Sequence, residues 1–253
     1  MFFSPVDIVI PLGNGSYCDN FELRMALRSI ASCARGCGKV WVITDTVPRW
    51  LCNTRIIIQS DRHTRNKDAN IIEKLLTAVK LNDLSEKFIF WSDDQAALES
   101  FSCRGLLPVY NRRQRSDFSG TKIWHRRMRN TFDYLAQQKY FLHWNWESHT
   151  PQIMDKNLFR KLVTPVDYIQ SPGLGVNTLY FGLADTPPLL EQSQIKATFE
   201  STAALMQLPA GKLFIGYNDA ALRGNLARLL LKRFPEKCRY EKSDLPDKVV
   251  TIK

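Results

Sequence analysis

Two adjacent carboxylates, Asp93 and Asp94, close the apolar run Phe88-Ile89-Phe90-Trp91 after a single Ser92, and Gln95-Ala96-Ala97-Leu98 follows them. Paired carboxylates at the tip of a buried strand suit a hard divalent cation, because Mg²⁺ and Mn²⁺ take oxygen ligands and bridge to substrate phosphates. Such a cation would offset the charge that develops on a diphosphate leaving group. An isolated Asp-Asp pair signals less: Asp93 would then cap a turn and Asp94 would be solvated. His149 precedes Thr150-Pro151, whose proline restricts the local backbone. It could accept a proton from a reacting hydroxyl or ligate the metal, although a lone histidine after Tyr140, Phe141, Trp144 and Trp146 is otherwise a core residue. Asp219 follows Asn218 where an apolar helical pattern begins, so an N-cap reading competes with a catalytic one.

The second chemical signal is charge. The chain has 253 residues and a formal net charge of +10. The excess is concentrated in 111–130, where Arg112, Arg113, Arg115, Lys122, Arg126, Arg127 and Arg129 stand against Asp117, with Phe118 and Trp124 among them. A basic run interleaved with aromatics could grip a phosphate backbone and stack on bases. A solvated helix face plus a loop explains the same run. Any partner should be anionic: a nucleotide diphosphate, a nucleic acid, or both.

Composition narrows the class. At 44% apolar residues, the chain can bury a large core and fits one catalytic domain. Its six cysteines, at 18, 33, 37, 52, 103 and 238, are scattered; disulfide scaffolds are small and cysteine-dense. Cys33 and Cys37 would share a face on a helix, with Cys18 and Cys52 completing a zinc site. That spacing matches no standard finger or ribbon, and free thiols in a reducing cytosol are expected. The first residues, Met1 to Asp7, have no basic n-region and are interrupted by Pro5, and no run reaches the roughly 18 apolar residues of a membrane span. These features predict a soluble cytoplasmic protein with no membrane partner.

The elements that must position these groups alternate. Val6 to Ile10 reads as a strand ended by Pro11 and the loop Gly13 to Ser16. A helix follows, with Asp19 and Glu22 at capping-box spacing and Leu23, Leu27, Ile30 and Ala34 as its stripe. Val40 to Thr44 and Arg55 to Ile58 are strands, and a helix from Asp68 carries Ile71, Ile72, Leu75, Leu76 and Val79. With the strand at 88–91, this order predicts an α/β layer with a mainly parallel central sheet. Ligands in such sheets gather beyond the carboxyl ends of the strands, so the loops at 13–16 and 93–94 could open on one crevice. The second half is less regular. A helix is expected over roughly 119–138, a short helix capped by Asp155, a strand from Asn177 to Gly182, a helix from Thr198 to Met206, and a helix from Asn218-Asp219 to Pro235.

Seven segments in order, Asp19–Ile30 (DNFELRMALRSI), Val40–Leu51 (VWVITDTVPRWL), Arg65–Lys74 (RNKDANIIEK), Phe88–Asp94 (FIFWSDD), His149–Lys156 (HTPQIMDK), Tyr217–Asp219 (YND) and Phe234–Glu241 (FPEKCRYE), carry a resemblance over nearly the whole chain. The sequence resembles the Stealth family of hexose-1-phosphate transferases and, more closely in length and wording, a group of short phage-encoded proteins described as glycosyltransferases.

That resemblance implies one domain over 1–253 with a GT-A-like fold. Residues 1–100 would bind a nucleotide diphosphate sugar, a UDP-sugar first among them, and residues 101–253 would complete the acceptor side. Asp93 and Asp94 match the family's Asn-Asp-Asp and would hold Mg²⁺ or Mn²⁺, with Ser92 in place of Asn. Asp94, His149 and Asp219 would be the catalytic groups. Gly13, Asn14, Gly15 and Ser16 would form the donor loop, joined by Lys67, Asn70 and Lys74, while Arg24 or Arg28 would hold donor phosphate or an acid of the site. Where the family has Trp-Val-Asp-Gly, this chain has Pro11-Leu12-Gly13-Asn14-Gly15, which bears on donor identity; it also lacks the Stealth His-rich stretch near Asp219. The expected reaction is hexose transfer to an acceptor hydroxyl, with a hydroxymethylated pyrimidine of phage DNA, gripped by the basic stretch, as the favoured acceptor. Sugar-1-phosphate transfer to a glycan and a catalytically inactive nucleic-acid-binding protein are the alternatives.

Overall fold

The computed structural model describes residues 4–14, 19–199 and 207–242. Along the chain run β1 (Val6–Pro11), α1 (Phe21–Cys33), β2 (Ala34–Arg35), β3 (Cys37–Thr44), β4 (Arg55–Ile58), α2 (Lys67–Ala78), β5 (Lys87–Phe90), β6 (Gln95–Ala97), β7 (Phe101–Ser102) and β8 (Val109–Tyr110). They are followed by α3 (Ile123–Gln137), β9 (Gln152–Asp155), α4 (Lys156–Val163), α5 (Val176–Leu183), β10 (Leu190–Glu191), α6 (Gln192–Ile195), β11 (Lys196–Phe199), β12 (Phe214–Tyr217), α7 (Asp219–Ala221) and α8 (Ala227–Arg233). The fold is mixed α/β around a five-stranded sheet of order β4-β3-β1-β5-β9. Every pairing in that sheet is parallel except β5 with β9.

Period-2 alternation explains the layering. Ile8, Ile10, Val40, Val42 and Ile89 point to one core, shared with α1 and α8. Val9, Trp41, Ile43, Phe88 and Phe90 point to the other, shared with α2, α4 and α5. With both faces covered, each fully buried aliphatic side chain contributes roughly 1.5–3 kcal/mol.

The register decides what meets at the sheet's edge. Val9 lies opposite Trp41 on one side and Phe90 on the other, so the chain leaves these strands at one level. Strand order reverses at β1, which makes the gap between β1 and β5 a topological switch point. Because β9 runs antiparallel, its first residue, Gln152, pairs with Phe90 and the segment before it reaches the same edge. In a second sheet of order β11-β12-β6, Gly216 pairs with Gln95, bringing the end of β12 beside the Asp93-Asp94 turn.

Four local expectations are corrected. Asp19 does not cap α1: the cap position is Asn20, in the left-handed region at φ 57° and with no side-chain cap bond, while the Asp19 carboxylate reaches Arg24 Nη2 at 3.4 Å. The expected strand at Asn177 to Gly182 is α5, since a short buried apolar run does not distinguish strand from helix by periodicity. Thr198, expected to open a helix, lies in β11, and 200–206 fall outside the described residues. Cys33 ends α1 while Cys37 opens β3, so the two do not share a helix; Cys18 lies outside the described residues, and the other five cysteines are free thiols. Other signals hold. Asp155 caps α4, accepting from Leu158 N at 2.8 Å, and Asn218 caps α7, accepting from Ala221 N at 3.1 Å. The last helix is broken at Gly224, whose φ −89° and ψ −147° interrupt it.

One buried carboxylate ties the end of the described chain to α1. Glu241 accepts from Arg28 Nε at 2.8 Å and Nη2 at 3.0 Å, and from Arg24 Nη1 at 2.9 Å. Arg28 Nη1 also donates to the carbonyls of Phe234 and Pro235, each at 2.9 Å. Burial pushes the Glu241 carboxyl up, but Arg28, the Cys238 amide and Arg24 outweigh it and hold the carboxyl below its ordinary range. Removing the carboxylate leaves buried guanidinium groups uncompensated, so Glu241→Ala is expected to lower stability by about 3–5 kcal/mol. The urea midpoint reads this, and an unshifted midpoint would contradict the anchor. Since the folded carboxyl is the stronger acid, its contribution is present above the ordinary glutamate range and is lost as pH falls through the folded value. Glu241→Gln should flatten that acid limb.

Candidate functional site at the carboxyl edge of the sheet

A cavity of about 340 Å³ opens between the ends of β1 and β5. Its walls include Gly13, Asn14, Lys67, Asn70, Lys74, Asp93, Asp94, His149 and Asp219, nine residues that the sequence singles out from five separate segments. The Asp93-Asp94 turn is held on both sides. Trp91 is fully buried, donates from N to Val9 O at 3.0 Å and from Nε1 to Gln95 O at 3.1 Å. Ser92 N donates to Gln95 Oε1 at 3.4 Å, and Tyr217 N donates to Asp94 O at 3.1 Å. The strand is apolar because it spans the core; its tip is polar because it emerges into the cavity.

The electrostatics are strongly negative. Burial first, then the charges of Asp94 and Glu22, push the Asp93 carboxyl up to about 8. Glu22, only 4% exposed, lines the same cavity from α1. Burial together with Asp94, Glu22 and Asp93 raises the Tyr217 hydroxyl well above its ordinary range, and that hydroxyl has no hydrogen-bond partner among the described residues. His149 Nε2 lies 2.8 Å from Asp94 Oδ1. Its backbone is left-handed at φ 54°, and a Cβ on Gly216 would come within 2.9 Å of its Nδ1, so the ring occupies space that glycine leaves open.

A divalent cation fits these residues. No cluster of three or more His, Cys, Asp or Glu side chains is arranged as a complete metal cage among the described residues. Mg²⁺ is commonly held by one or two carboxylates plus substrate phosphates and water, and Asp93 and Asp94 offer that partial set. The mutual repulsion that raises Asp93 and the unpartnered Tyr217 hydroxyl are what a cation or its water would relieve.

The donor-side residues divide by role. Asn14 N donates to Asp61 Oδ2 at 3.3 Å and its Nδ2 to Asp45 Oδ2 at 2.8 Å. Lys74, 2% exposed at its side chain, holds Leu12 O at 2.6 Å and Asp61 Oδ1 at 2.5 Å, so it braces the end of β1. Asn70 clamps the His63 backbone through both amide atoms. Lys67 is exposed and makes no ion pair among the described residues, which leaves its charge for a ligand. Gly15 and Ser16 lie outside the described residues. Arg24 and Arg28 do not line the cavity: both are buried on Glu241. Sequence spacing showed the pair of cations but not a partner more than 200 positions away.

A second cavity of about 480 Å³ adjoins the first and shares Ile71, Phe90, Ser92 and His149 with it. Sequence reasoning missed its carboxylate. Glu147 Oε1 accepts from Thr178 N at 3.0 Å and Oε2 from Asn177 Nδ2 at 3.3 Å, and burial pushes its carboxyl up to about 7. The available signal was its place two residues before His149. Of the stretch 111–130, Asn111, Arg113, Phe118 and Trp124 line this cavity, and Arg113 is the one basic residue among them. Arg112 pairs with Glu191 at 2.6 Å and Arg115 with Asp133 at 2.5 Å. Arg127 pairs with Asp68 and donates to Pro172 O, and Arg129 donates to the carbonyls of Phe118 and Gly120. Lys122 and Arg126 are exposed and have no ion-pair partner among the described residues. The expectation that the whole run grips phosphate is thereby narrowed: Arg127 and Arg129 are internal struts.

Comparison with protein-family models and with curated proteins found no match. Among the described residues, no helix is long and apolar enough to cross a membrane.

The Glu147 carboxyl, raised from its ordinary range to about 7, binds its proton more tightly in the native than in the unfolded state. Between the ordinary glutamate range and about 7, stability should therefore fall as pH rises, by on the order of 2 kcal/mol. Urea midpoints at about pH 5 and about pH 8 for the wild type and Glu147→Gln measure it. The variant should lose that part of the slope, and identical slopes would contradict the burial of this carboxyl.

Proposed function

We propose that the protein is a metal-dependent glycosyltransferase of GT-A type that moves a hexose from a nucleotide diphosphate sugar, a UDP-sugar first among them, to an acceptor hydroxyl. The observation that carries the reading is the convergence of Asp93, Asp94, His149, Lys67 and the Gly13-Asn14 loop on one cavity at the β1/β5 switch point. Open α/β sheets bind nucleotides at such points.

In this reading the donor diphosphate lies along the cavity between the Gly13-Asn14 loop and Asp93-Asp94. A divalent cation held by Asp93 and Asp94 supplies charge stabilisation for the departing diphosphate. Lys67, exposed on the same cavity, would add a second positive charge near the diphosphate. Lys74 and Asp61 keep the donor loop at its height by bracing Leu12 O and Asn14 N. His149, paired with Asp94, stands on the wall shared by the two cavities, where it would take the acceptor's proton as its oxygen attacks the anomeric carbon.

Sugar-1-phosphate transfer uses the same donor site but breaks the phosphorus–oxygen bond, so the released nucleotide separates the two. With labelled UDP-glucose or UDP-GlcNAc and Mn²⁺, release of UDP is expected; UMP would sink glycosyl transfer in favour of sugar-phosphate transfer. Asp93→Asn and Asp94→Asn should each reduce release by at least about a hundredfold with near-UV circular dichroism unchanged. The exposed Lys122 and Arg126 favour a second reading, a nucleic-acid-binding protein without turnover. Undetectable nucleotide release together with duplex binding that survives both Asp substitutions would establish that reading instead.

A further inference from the structure

Away from both of these cavities, two thiols meet at the amino end of the sheet. Strands β2 and β7 pair Ala34 with Phe101 and Arg35 with Ser102, and Cys103 N extends the ladder by donating to Arg35 O at 2.9 Å. The chain then turns at Gly36, left-handed at φ 73°, and Cys37 opens β3. The two sulfurs come into contact there: the Cys103 thiol donates a hydrogen bond to the Cys37 sulfur. Cys103 is completely buried, whereas Cys37 is half-buried and reaches a cavity of about 470 Å³. One thiol is therefore open to a reagent, and the other stands behind it.

That cavity is cationic. Lys39, Arg55 and Arg239 line it together with Cys37. Lys39 pairs with Asp83, but Arg55 and Arg239 are exposed and make no ion pair among the described residues. The hydrogen bond from Cys103, and then the charge of Arg239, hold the Cys37 thiol below its ordinary range against burial and Asp7. Cys33 and Cys238 go the other way, raised chiefly by burial, Cys238 to about 11. A partly exposed thiol with thiolate character, in an electropositive setting and beside a second thiol, has the features of a redox-active cysteine.

We propose that Cys37 is a thiol-modification site that attacks an anionic low-molecular-weight disulfide drawn in by Arg55 and Arg239, and that Cys103 resolves the adduct into a Cys37–Cys103 disulfide. The Cys37 thiolate bonds to one sulfur of the small disulfide, whose S–S bond breaks with the electron pair leaving on its other sulfur. Cys103 then has no thiolate to donate to, and that donated bond is the largest of the causes that hold its proton on. It gives up the proton and attacks the Cys37 sulfur, and the second small thiolate leaves. In sum, two protein thiols lose two electrons and two protons, and the small disulfide becomes two thiols. The couple shares no residue with the cavities at the carboxyl edge of the sheet, so it stands independently of the transferase reading.

The test incubates the reduced full chain with glutathione disulfide under native conditions and maps its cysteines by peptide mass spectrometry. The wild type should lose the Cys37 and Cys103 thiols together, yield a linked Cys37–Cys103 peptide pair, and recover both thiols with dithiothreitol. Cys103→Ser should instead accumulate one glutathione adduct at Cys37, and Cys37→Ser should leave Cys103 unmodified. Cys52 is also half-buried but has no thiol partner among the described residues, so Cys37 should react at least about tenfold faster. Arg55→Gln should slow glutathione disulfide at least about threefold at low salt and leave the neutral hydroxyethyl disulfide unaffected. No linked pair in the wild type, or a Cys37 rate equal to that of Cys52, would overturn the inference. An Arg55→Gln variant as fast as the wild type with the anionic reagent would overturn the part given to the cavity. The linked pair and the comparison with Cys52 are read on the wild type, so a variant that fails to fold leaves the test intact.

Discussion

The site depends on the register in which Val9 lies beside Trp41 on one side and Phe90 on the other. Side chains alternate across a strand, so a slip of one residue would turn Ile8, Ile10 and Ile89 out of the core they share with α1 and invert every neighbour. Fixing that register fixes the height at which Leu12 and Ser92 leave the sheet. The antiparallel entry of β9 opposite Phe90 brings in Glu147 and His149 at the same height. The pairing of Gly216 with Gln95 adds Tyr217 and Asp219. Four separate stretches of chain thus reach one edge because of backbone pairing made well inside the core.

Within that frame the charges follow a division of labour. Buried cations are fully committed: Arg24 and Arg28, away from the cavity, to Glu241, and Lys74, in its wall, to Leu12 O and Asp61. Asp61 is paired with Lys74 and Asp94 with His149, whereas Asp93 makes no ion pair among the described residues. Asp93 is raised by burial and by its neighbours Asp94 and Glu22, and the Tyr217 hydroxyl beside them lacks a partner. In the proposed reading, a pocket with this many carboxylates would take an anionic donor only with a cation between them.

Much of this was legible in the chain. The alternation of short β-rich runs with helical stripes gave β1, β3, β4, α2 and β5, and the polar tip after Trp91 marked the cavity. His149 and Asp219 stood out through their surroundings. The misses share a cause, a partner distant in sequence. Nothing local tells that Arg28 meets Glu241, that Arg127 meets Asp68, or that Glu147 is buried against α5. The run Asn177 to Gly182 misled because a segment buried all round has no polar face to reveal its period. The basic stretch misled in part because its composition is the same whether an arginine meets phosphate or a backbone carbonyl, as Arg129 does.

The central claim is that Asp93 and Asp94 hold a divalent cation together with the diphosphate of a sugar nucleotide. Electron paramagnetic resonance of Mn²⁺ tests it most directly, because free and bound Mn²⁺ are distinguished without any need for turnover or an acceptor. The account predicts that the wild type removes little free Mn²⁺ signal alone, that adding UDP-glucose strengthens the loss at least about tenfold through the shared phosphate ligands, and that Asp93→Asn abolishes this gain. Mn²⁺ binding that is indifferent to UDP-glucose, or that survives unchanged in Asp93→Asn and Asp94→Asn, would contradict it.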